Sequence, residues 1–100
     1  MIMPLGIMVV ELGTIAVTRR AARKLDRYKA NDLITRHMMG DWGDADDDQC
    51  RVNDEAVREE KGQIISAFFT ETDNATLIVT DLDWPRTLVM LADEYWRYSQ

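Results

Sequence analysis

The sequence predicts an α+β fold in a small single domain: an N-terminal strand, two or three helices and then a three-stranded antiparallel β-meander. Three observations support this. β-branched residues are frequent up to position 17, apolar residues then recur at helical spacing up to position 60, and strand-like alternation follows Gly62. Helices and strands that are grouped in this way, rather than alternating, are typical of an antiparallel sheet. A length of 100 residues fits one domain, residues 1–100, and not two.

The first third of the chain changes from strand to helix at Thr18. Residues 7–12 and 14–17 are rich in β-branched residues and predict strand, with Gly13 between them. The hydroxyl of Thr18 suits a helix N-cap. A basic helix over residues 19–29 should follow, because Ala21, Leu25 and Tyr28 recur at helical spacing as one apolar stripe.

Two further helices are expected before the meander. Asn31 or Asp32 caps a short helix that ends near residue 39, with inner side chains at positions 33, 34, 37 and 38, and Gly40 ends it. A tight loop over residues 40–44 leads to a third helix at residues 47–60, whose acidic first turn favours a helix N-terminus. This third helix has few apolar residues and should lie on the surface.

The C-terminal part predicts the meander. Strands are expected over residues 63–70, 75–80 and 86–91, with a turn at 73–74 and a break at Asp83-Trp84-Pro85. Residues 93–98 predict one closing turn of helix.

Composition excludes several classes of protein. Cys50 is the single cysteine, so no disulfide can form within the chain. No apolar run approaches the roughly 20 residues of a membrane span. The apolar stretch at the N-terminus lacks a basic segment before it, which argues against a signal peptide. We therefore expect a cytoplasmic protein with no membrane association.

Five segments together resemble a known family of small bacterial proteins labelled "plasmid-related", some of them labelled type I restriction-modification subunits. The segments are Leu12–Thr18, Arg36–Asp44, Asn53, Ile64–Phe68 and Leu91–Tyr95. The chain departs from the family pattern at residues 81–86 and at Ala92. The resemblance implies a mobile-element setting and favours a role against host defence. The chain carries no Asn-Pro-Pro-aromatic methylase motif and no glycine-rich cofactor loop, so we do not expect a methylase.

The segment from His37 to Asp44 is the first candidate site. A histidine near Asp41 and Asp44 suits a general base or a metal ligand. His37 is, however, the single histidine of the chain. We therefore favour a structural role, with Trp42 anchoring the loop, the two aspartates accepting from turn or cap amides, and His37 packing at a helix end. Residues 44–55 also match a calcium loop in part, although Gln49 stands where that loop needs glycine.

The formal charge of −6 is an average over two unlike regions. Residues 18–37 hold seven basic and two acidic side chains, whereas the other 80 residues hold five basic and sixteen acidic ones. Arg19, Arg23 and Arg27 recur every four residues, so they would lie on one face of the predicted basic helix and could contact phosphates. A small nucleic-acid-binding regulator is therefore the alternative function.

The acidic remainder favours the opposite hypothesis, an acidic surface that competes with nucleic acid for a basic groove on a protein partner. No nucleophile with a base, no metal-ligand set and no phosphate cradle can be assembled, so we expect no enzyme, cofactor or metal. We predict a binding protein of mobile-element origin that inhibits a host nuclease or CRISPR effector complex, and a homodimer stays open. Tryptophan is enriched at interface hot spots, and the predicted partner-binding residues are Asp41, Asp44, Asp46, Asp47, Asp48, Asp54, Glu55, Trp84 and Trp96.

Overall fold

The sheet has four strands in the order β1-β4-β3-β2. The structure is a computed structural model that describes residues 10–69 and 75–98. Its elements, in chain order, are β1 (Thr14–Val17), α1 (Arg19–Lys24), α2 (Arg27–Met38), α3 (Asp47–Glu59), β2 (Gln63–Phe69), β3 (Ala75–Asp81), β4 (Arg86–Leu91), a 3₁₀ turn (Ala92–Glu94) and α4 (Tyr95–Tyr98). The predicted α+β fold is confirmed. None of the helices in the described ranges is both long and apolar enough to cross a bilayer.

The predicted meander is present, and β1 joins it in parallel. β2, β3 and β4 pair antiparallel in sequence order. β1 lies parallel to β4, with Ala16 opposite Leu88. Parallel pairing requires a long crossover connection, and here the helices and the other two strands supply it.

The two faces of the sheet differ. On the first, which we call the helix face, Ile64, Ile78 and Val89 are fully buried and pack beneath the helices. The opposite face, which we call the open face, carries residues such as Ile65 and Leu88 that are only half-buried. Strand alternation separates these sets, because neighbouring residues point to opposite sides of a sheet.

Two clusters form the core on the helix face. One joins α1 and α2 to β2, β3 and β4, and the other lies beneath α3 and the chain before β1. Burial of such side chains contributes roughly 1.5–3 kcal/mol each. The members of the first are Ala21, Leu25, Leu33, Phe68, Ile78, Val89 and Leu91, and those of the second are Val10, Leu12, Trp42, Ala56 and Ile64.

The predicted basic helix over 19–29 is wrong in its length. α1 ends at Lys24, and Leu25 adopts an extended conformation. Asp26 then caps α2, because its carboxylate accepts from the Lys29 amide at 2.7 Å. The second helix therefore starts before Asn31. Tyr28 lies in the new helix and is 86% exposed, so it does not continue the stripe of Ala21 and Leu25.

Two other local predictions are confirmed, and one is wrong where the structure tests it. Thr18 caps α1 by accepting from the Ala21 amide at 3.1 Å, and Gly40 follows α2 with a φ of +85°. The strand expected over 7–12 is absent from residues 10–12, whereas residues 7–9 and the turn at 73–74 lie outside the described residues.

Candidate functional site

His37 lies at the centre of a buried chain of hydroxyl groups. Its Nε2 is 2.8 Å from Thr80 Oγ1, and its Nδ1 is hydrogen-bonded to Ser66 Oγ. Thr80 Oγ1 is 2.7 Å from Thr87 Oγ1, and Thr87 donates to the Leu12 carbonyl at 2.8 Å. All four side chains are buried on the helix face. The chain links α2, the three meander strands and the segment before β1.

The order of donors fixes the tautomer of His37. The proton of Thr87 is used on a backbone carbonyl, so Thr87 must accept from Thr80. Thr80 then has no proton left for the ring, and Nε2 of His37 must donate to it. Nδ1 consequently accepts from Ser66. Burial lowers the pKa of His37 to about 4, so the ring is neutral near pH 7.

The alternative role of His37 as a base or a metal ligand gains no geometric support. The ring is fully buried, and both nitrogens are occupied by hydroxyl groups. Asp41 lies on the surface, where it accepts from Arg36 Nε at 2.7 Å. Arg36 and the Gly43 amide lower the pKa of Asp41. The two ring nitrogens thus contact hydroxyl groups, whereas the Asp41 carboxylate contacts Arg36 and the Asp44 carboxylate contacts the Phe69 amide.

The loop over residues 40–44 closes the outer edge of β2. The Asp44 amide donates to the Ala67 carbonyl at 2.6 Å, and the Ala67 amide donates to the Trp42 carbonyl at 3.2 Å. The Asp44 carboxylate accepts from the Phe69 amide at 2.9 Å. Gly43 is required here, because a Cβ would lie 2.4 Å from the Ala67 carbonyl oxygen.

Asn53 closes the same edge of β2 at Ile65, two residues before Ala67. Its side-chain amide pairs with both backbone groups of Ile65, at 2.8 Å to the carbonyl and 3.0 Å from the amide. A buried asparagine therefore substitutes for a neighbouring strand. Trp42 adds a link to α3, since its Nε1 donates to Asp54 Oδ1 at 2.9 Å. The segment from His37 to Asp44, together with Asn53, thus protects a sheet edge.

The predicted acidic surface divides into internal and outward carboxylates. Asp41, Asp44 and Asp54 bind other parts of the fold, and Asp46 caps α3 by accepting from the Gln49 amide at 2.8 Å. The other predicted acidic residues, Asp47, Asp48 and Glu55, are exposed on α3. Asp48 contacts Arg51 at 3.3 Å in a pair that is largely exposed. The surface is therefore smaller than predicted.

An acidic groove lies between α3 and the turn before β4. It has a volume of about 350 Å³ and is lined by Val52, Glu55, Ala56, Glu59, Lys61, Gly62, Gln63 and Asp83. The lining thus contains three carboxylates, those of Glu55, Glu59 and Asp83, and one ammonium group, that of Lys61. Val52 is 45% exposed and forms part of an apolar floor.

Sequence reasoning missed Val52 and Asp83. The signal for Val52 was present, because positions 48, 52, 55 and 59 recur at helical spacing on one face of α3. The approach of Asp83 to α3 is a tertiary feature. Its carboxylate accepts from the Gly62 amide at 3.2 Å, and this bond holds the turn beside the helix.

The two predicted tryptophans lie in different places. Trp84 is 76% exposed and lines a second groove, of about 430 Å³, on the open face. We call this the sheet groove; its floor includes Val79, Leu88 and Met90. Trp96 is 65% exposed but follows β4 and is not among the residues that line either groove. The structure therefore places neither tryptophan in the acidic groove.

The basic residues do not form the single face that was predicted. Arg19 and Arg23 belong to α1, whereas Arg27 is the first residue of α2. All three are exposed. Arg20, by contrast, holds Asp93 through two bonds of 2.9 Å.

Neither a metal-binding site nor an activated thiol is present in the part of the chain that the structure describes. No group of three or more histidine, cysteine, aspartate or glutamate side chains is placed to hold a metal ion there. Residues 47–55 of the calcium-loop match are helical. Burial and neighbouring aspartates raise the pKa of Cys50, and its thiol donates to the Ala45 carbonyl.

Comparison with known proteins gives no match: no family model, no curated protein and no solved structure matches this chain.

Proposed function

We propose that the chain is a non-catalytic binding protein whose acidic groove occupies a basic, nucleic-acid-binding surface of a protein partner. The observation that carries this proposal is the groove itself. Glu55, Glu59 and Asp83 surround an apolar floor, and Glu55 makes no side-chain hydrogen bond or ion pair within the described residues. Glu59 meets Lys61 at 3.8 Å in an exposed pair, which contributes little to stability.

The groove suits lysine and arginine side chains. Their methylene stems pack on apolar surface while the charged head stays near water or a carboxylate. A partner side chain could therefore contact Val52 with its stem and the three carboxylates with its head. Charge complementarity of this kind accelerates association and selects the partner. Surfaces that bind nucleic acid are rich in these two residue types.

The resemblance to the plasmid-related family supports a partner in host defence, either a CRISPR effector complex or a restriction nuclease. Both bind DNA through basic grooves. We place the protein in the cytoplasm as part of the same proposal, because these complexes act there.

The experiment measures DNA binding and cleavage by a purified CRISPR effector complex and by a type I restriction nuclease, with and without this protein. We expect one of them to lose its DNA. The test variant carries Glu55→Lys and Glu59→Lys, the two helix carboxylates that line the groove. It should inhibit at least about tenfold less well, because like charges then face each other.

The matched control carries Asp32→Lys and Asp47→Lys. It changes the net charge equally, and one of its changes also lies on α3, but neither lies on the groove. Both variants should fold, as thermal melting will show. Equal inhibition by the two variants would contradict the acidic groove, and no inhibition of either complex would contradict the host-defence role.

A nucleic-acid-binding regulator is the second candidate. The exposure of Arg19, Arg23 and Arg27 favours it, since none of the three forms an ion pair within the described ranges. Binding of a labelled duplex at low salt, followed by salt titration, tests it. Phosphate contacts weaken steeply with salt, and Arg19→Glu with Arg23→Glu should abolish them. No binding at low salt would eliminate this function.

A further inference from the structure

The two edges of the sheet are built differently. The edge at β2 is closed by Asn53, Trp42 and Asp44. The edge at β1 has no neighbouring strand among residues 10–69 and 75–98. All four residues of β1 are exposed, and Ile15 and Val17 retain 44% and 40% of their accessible surface. Edge strands without charge, proline or a bulge are templates for pairing with another chain.

The ladder between β1 and β4 shows which backbone groups point outward. The Thr18 amide donates to the Val89 carbonyl at 2.9 Å, so residues 14, 16 and 18 face β4, because successive residues of a strand direct their backbone groups to opposite sides. Ile15 and Val17 therefore present their amides and carbonyls to the outer edge. These are the groups that an added strand would pair.

We propose that a second copy of this chain pairs with the β1 edge, antiparallel and centred on Ala16. In this register Ile15 of each copy lies opposite Val17 of the other, which gives four hydrogen bonds between the copies. In a register shifted by one residue to either side, the second hydrogen-bonded pair would include Gly13 or Arg19. Neither residue has the extended backbone that such a pair requires. Gly13 has a φ of +64°, and Arg19 is already helical.

The side chains fit this register. Ile15 and Val17 lie on the helix face, so each copy contributes one β-branched residue to two cross-strand pairs, which stabilise antiparallel sheets. Ala16 meets its own copy at the axis, in a position without hydrogen bonds, where backbones approach to about 4.5 Å. A small side chain suits that spacing.

Charge supports an antiparallel arrangement. Glu11 precedes β1 and Arg19 follows it, and both are exposed. Antiparallel pairing brings the Glu11 end of one copy to the Arg19 end of the other. Because Thr14 and Ala16 also line the sheet groove, the grooves of the two copies would meet at the axis. The inference does not depend on the proposed function.

Sedimentation equilibrium over about 10 µM to 1 mM chain tests the dimer. A four-residue strand pair buries much less than the roughly 1,600 Å² of a standard interface, so we expect weak, concentration-dependent association toward twice the mass of 11.6 kDa. Ile15→Lys with Val17→Lys should weaken it at least about tenfold. Ile15→Glu with Val17→Lys should restore it, because unlike charges then lie opposite each other in this register alone.

Disulfide trapping provides a second readout. In a Cys50→Ser background, Ala16→Cys should cross-link two copies under mild oxidation, since its partner lies at the axis within disulfide range. The control Thr14→Cys should not, because the two copies of that residue would lie about 13 Å apart along the strands. A monomer at every concentration, unchanged association of the double-lysine variant, or equal cross-linking at both positions would each overturn the proposal.

Discussion

His37 should make the stability of the fold sensitive to mild acid. Its pKa is about 4 in the folded protein because of burial, whereas an unfolded histidine titrates near 6.5. Between these values the unfolded chain binds a proton that the folded chain does not. Stability is therefore complete above about pH 6.5 and is lost as the pH falls toward 4.

The magnitude follows from the difference between the two pKa values. Each unit corresponds to about 1.4 kcal/mol, so the free energy of unfolding should fall by about 3 kcal/mol between pH 7 and pH 4 through this residue alone. His37→Gln retains an acceptor and a donor but cannot titrate in this range. The variant should be less stable than the natural chain at pH 7 and should lack this part of the pH dependence.

The assay is urea unfolding, followed by tryptophan fluorescence, at half-unit steps from pH 7 to pH 4. Asp41 does not confuse the comparison. Because the pKa of Asp41 is lowered in the folded protein, its contribution to stability is lost only as the pH falls below about 4. That loss is the same in both proteins. The same pH dependence in the natural chain and in His37→Gln would refute the buried, neutral histidine.

Three further substitutions, two of them with a matched control, test the closed edge and the capping of α3. Gly43→Ala should lower the free energy of unfolding by about 3 kcal/mol or more, because its Cβ would lie 2.4 Å from a carbonyl oxygen. The control Gly62→Ala is also at positive φ, but its Cβ would have its nearest neighbour at 3.9 Å, so the loss should be only about 1 kcal/mol. Asn53→Ala should cost about 3 kcal/mol, since two buried backbone groups lose their partner, and a loss below 1 kcal/mol would contradict that role. Asp46→Ala should lower the free energy of unfolding by about 1 kcal/mol, because it removes the N-cap of α3. The control Asp47→Ala should have a smaller effect. Thermal melting of each variant provides the measurement.

The meander and the third helix were predictable because local signals agree with the tertiary structure. Alternation places Ile64 and Ile78 on the buried face, and the acidic first turn marks the start of α3. The break between α1 and α2 was not predicted. Asp26 competes with helix continuation by capping a new start, and a stripe of apolar spacing does not register that change of direction. The exposed Tyr28 is the consequence.

The parallel pairing of β1 was beyond the sequence for a different reason. Strand patterns indicate which residues form strands, but the choice of neighbour depends on contacts far apart in the chain. Thr18 shows how remote those contacts are, since its hydroxyl donates to the buried carboxylate of Glu94 at 2.8 Å. The same carboxylate accepts from the Leu91 amide at 3.0 Å. Nothing in the local sequence around Thr18 indicates that partner.

The segment from His37 to Asp44 contains residue types that are common in active sites, although its sequence favours a structural role. The structure uses the same types to solve two structural problems. A buried polar row across β2, β3 and β4 needs a partner with both a donor and an acceptor, and a neutral imidazole provides both. The backbone groups at an exposed sheet edge need hydrogen-bonding partners that do not themselves offer a new edge to another strand. The side chains of Asp44 and Asn53 are such partners. Substitutions in this segment should therefore change stability first, so a loss of function there would not locate a binding site. Glu55 and Glu59 of the acidic groove and the outward side of β1 carry no such structural role, and changes confined to them separate binding from folding.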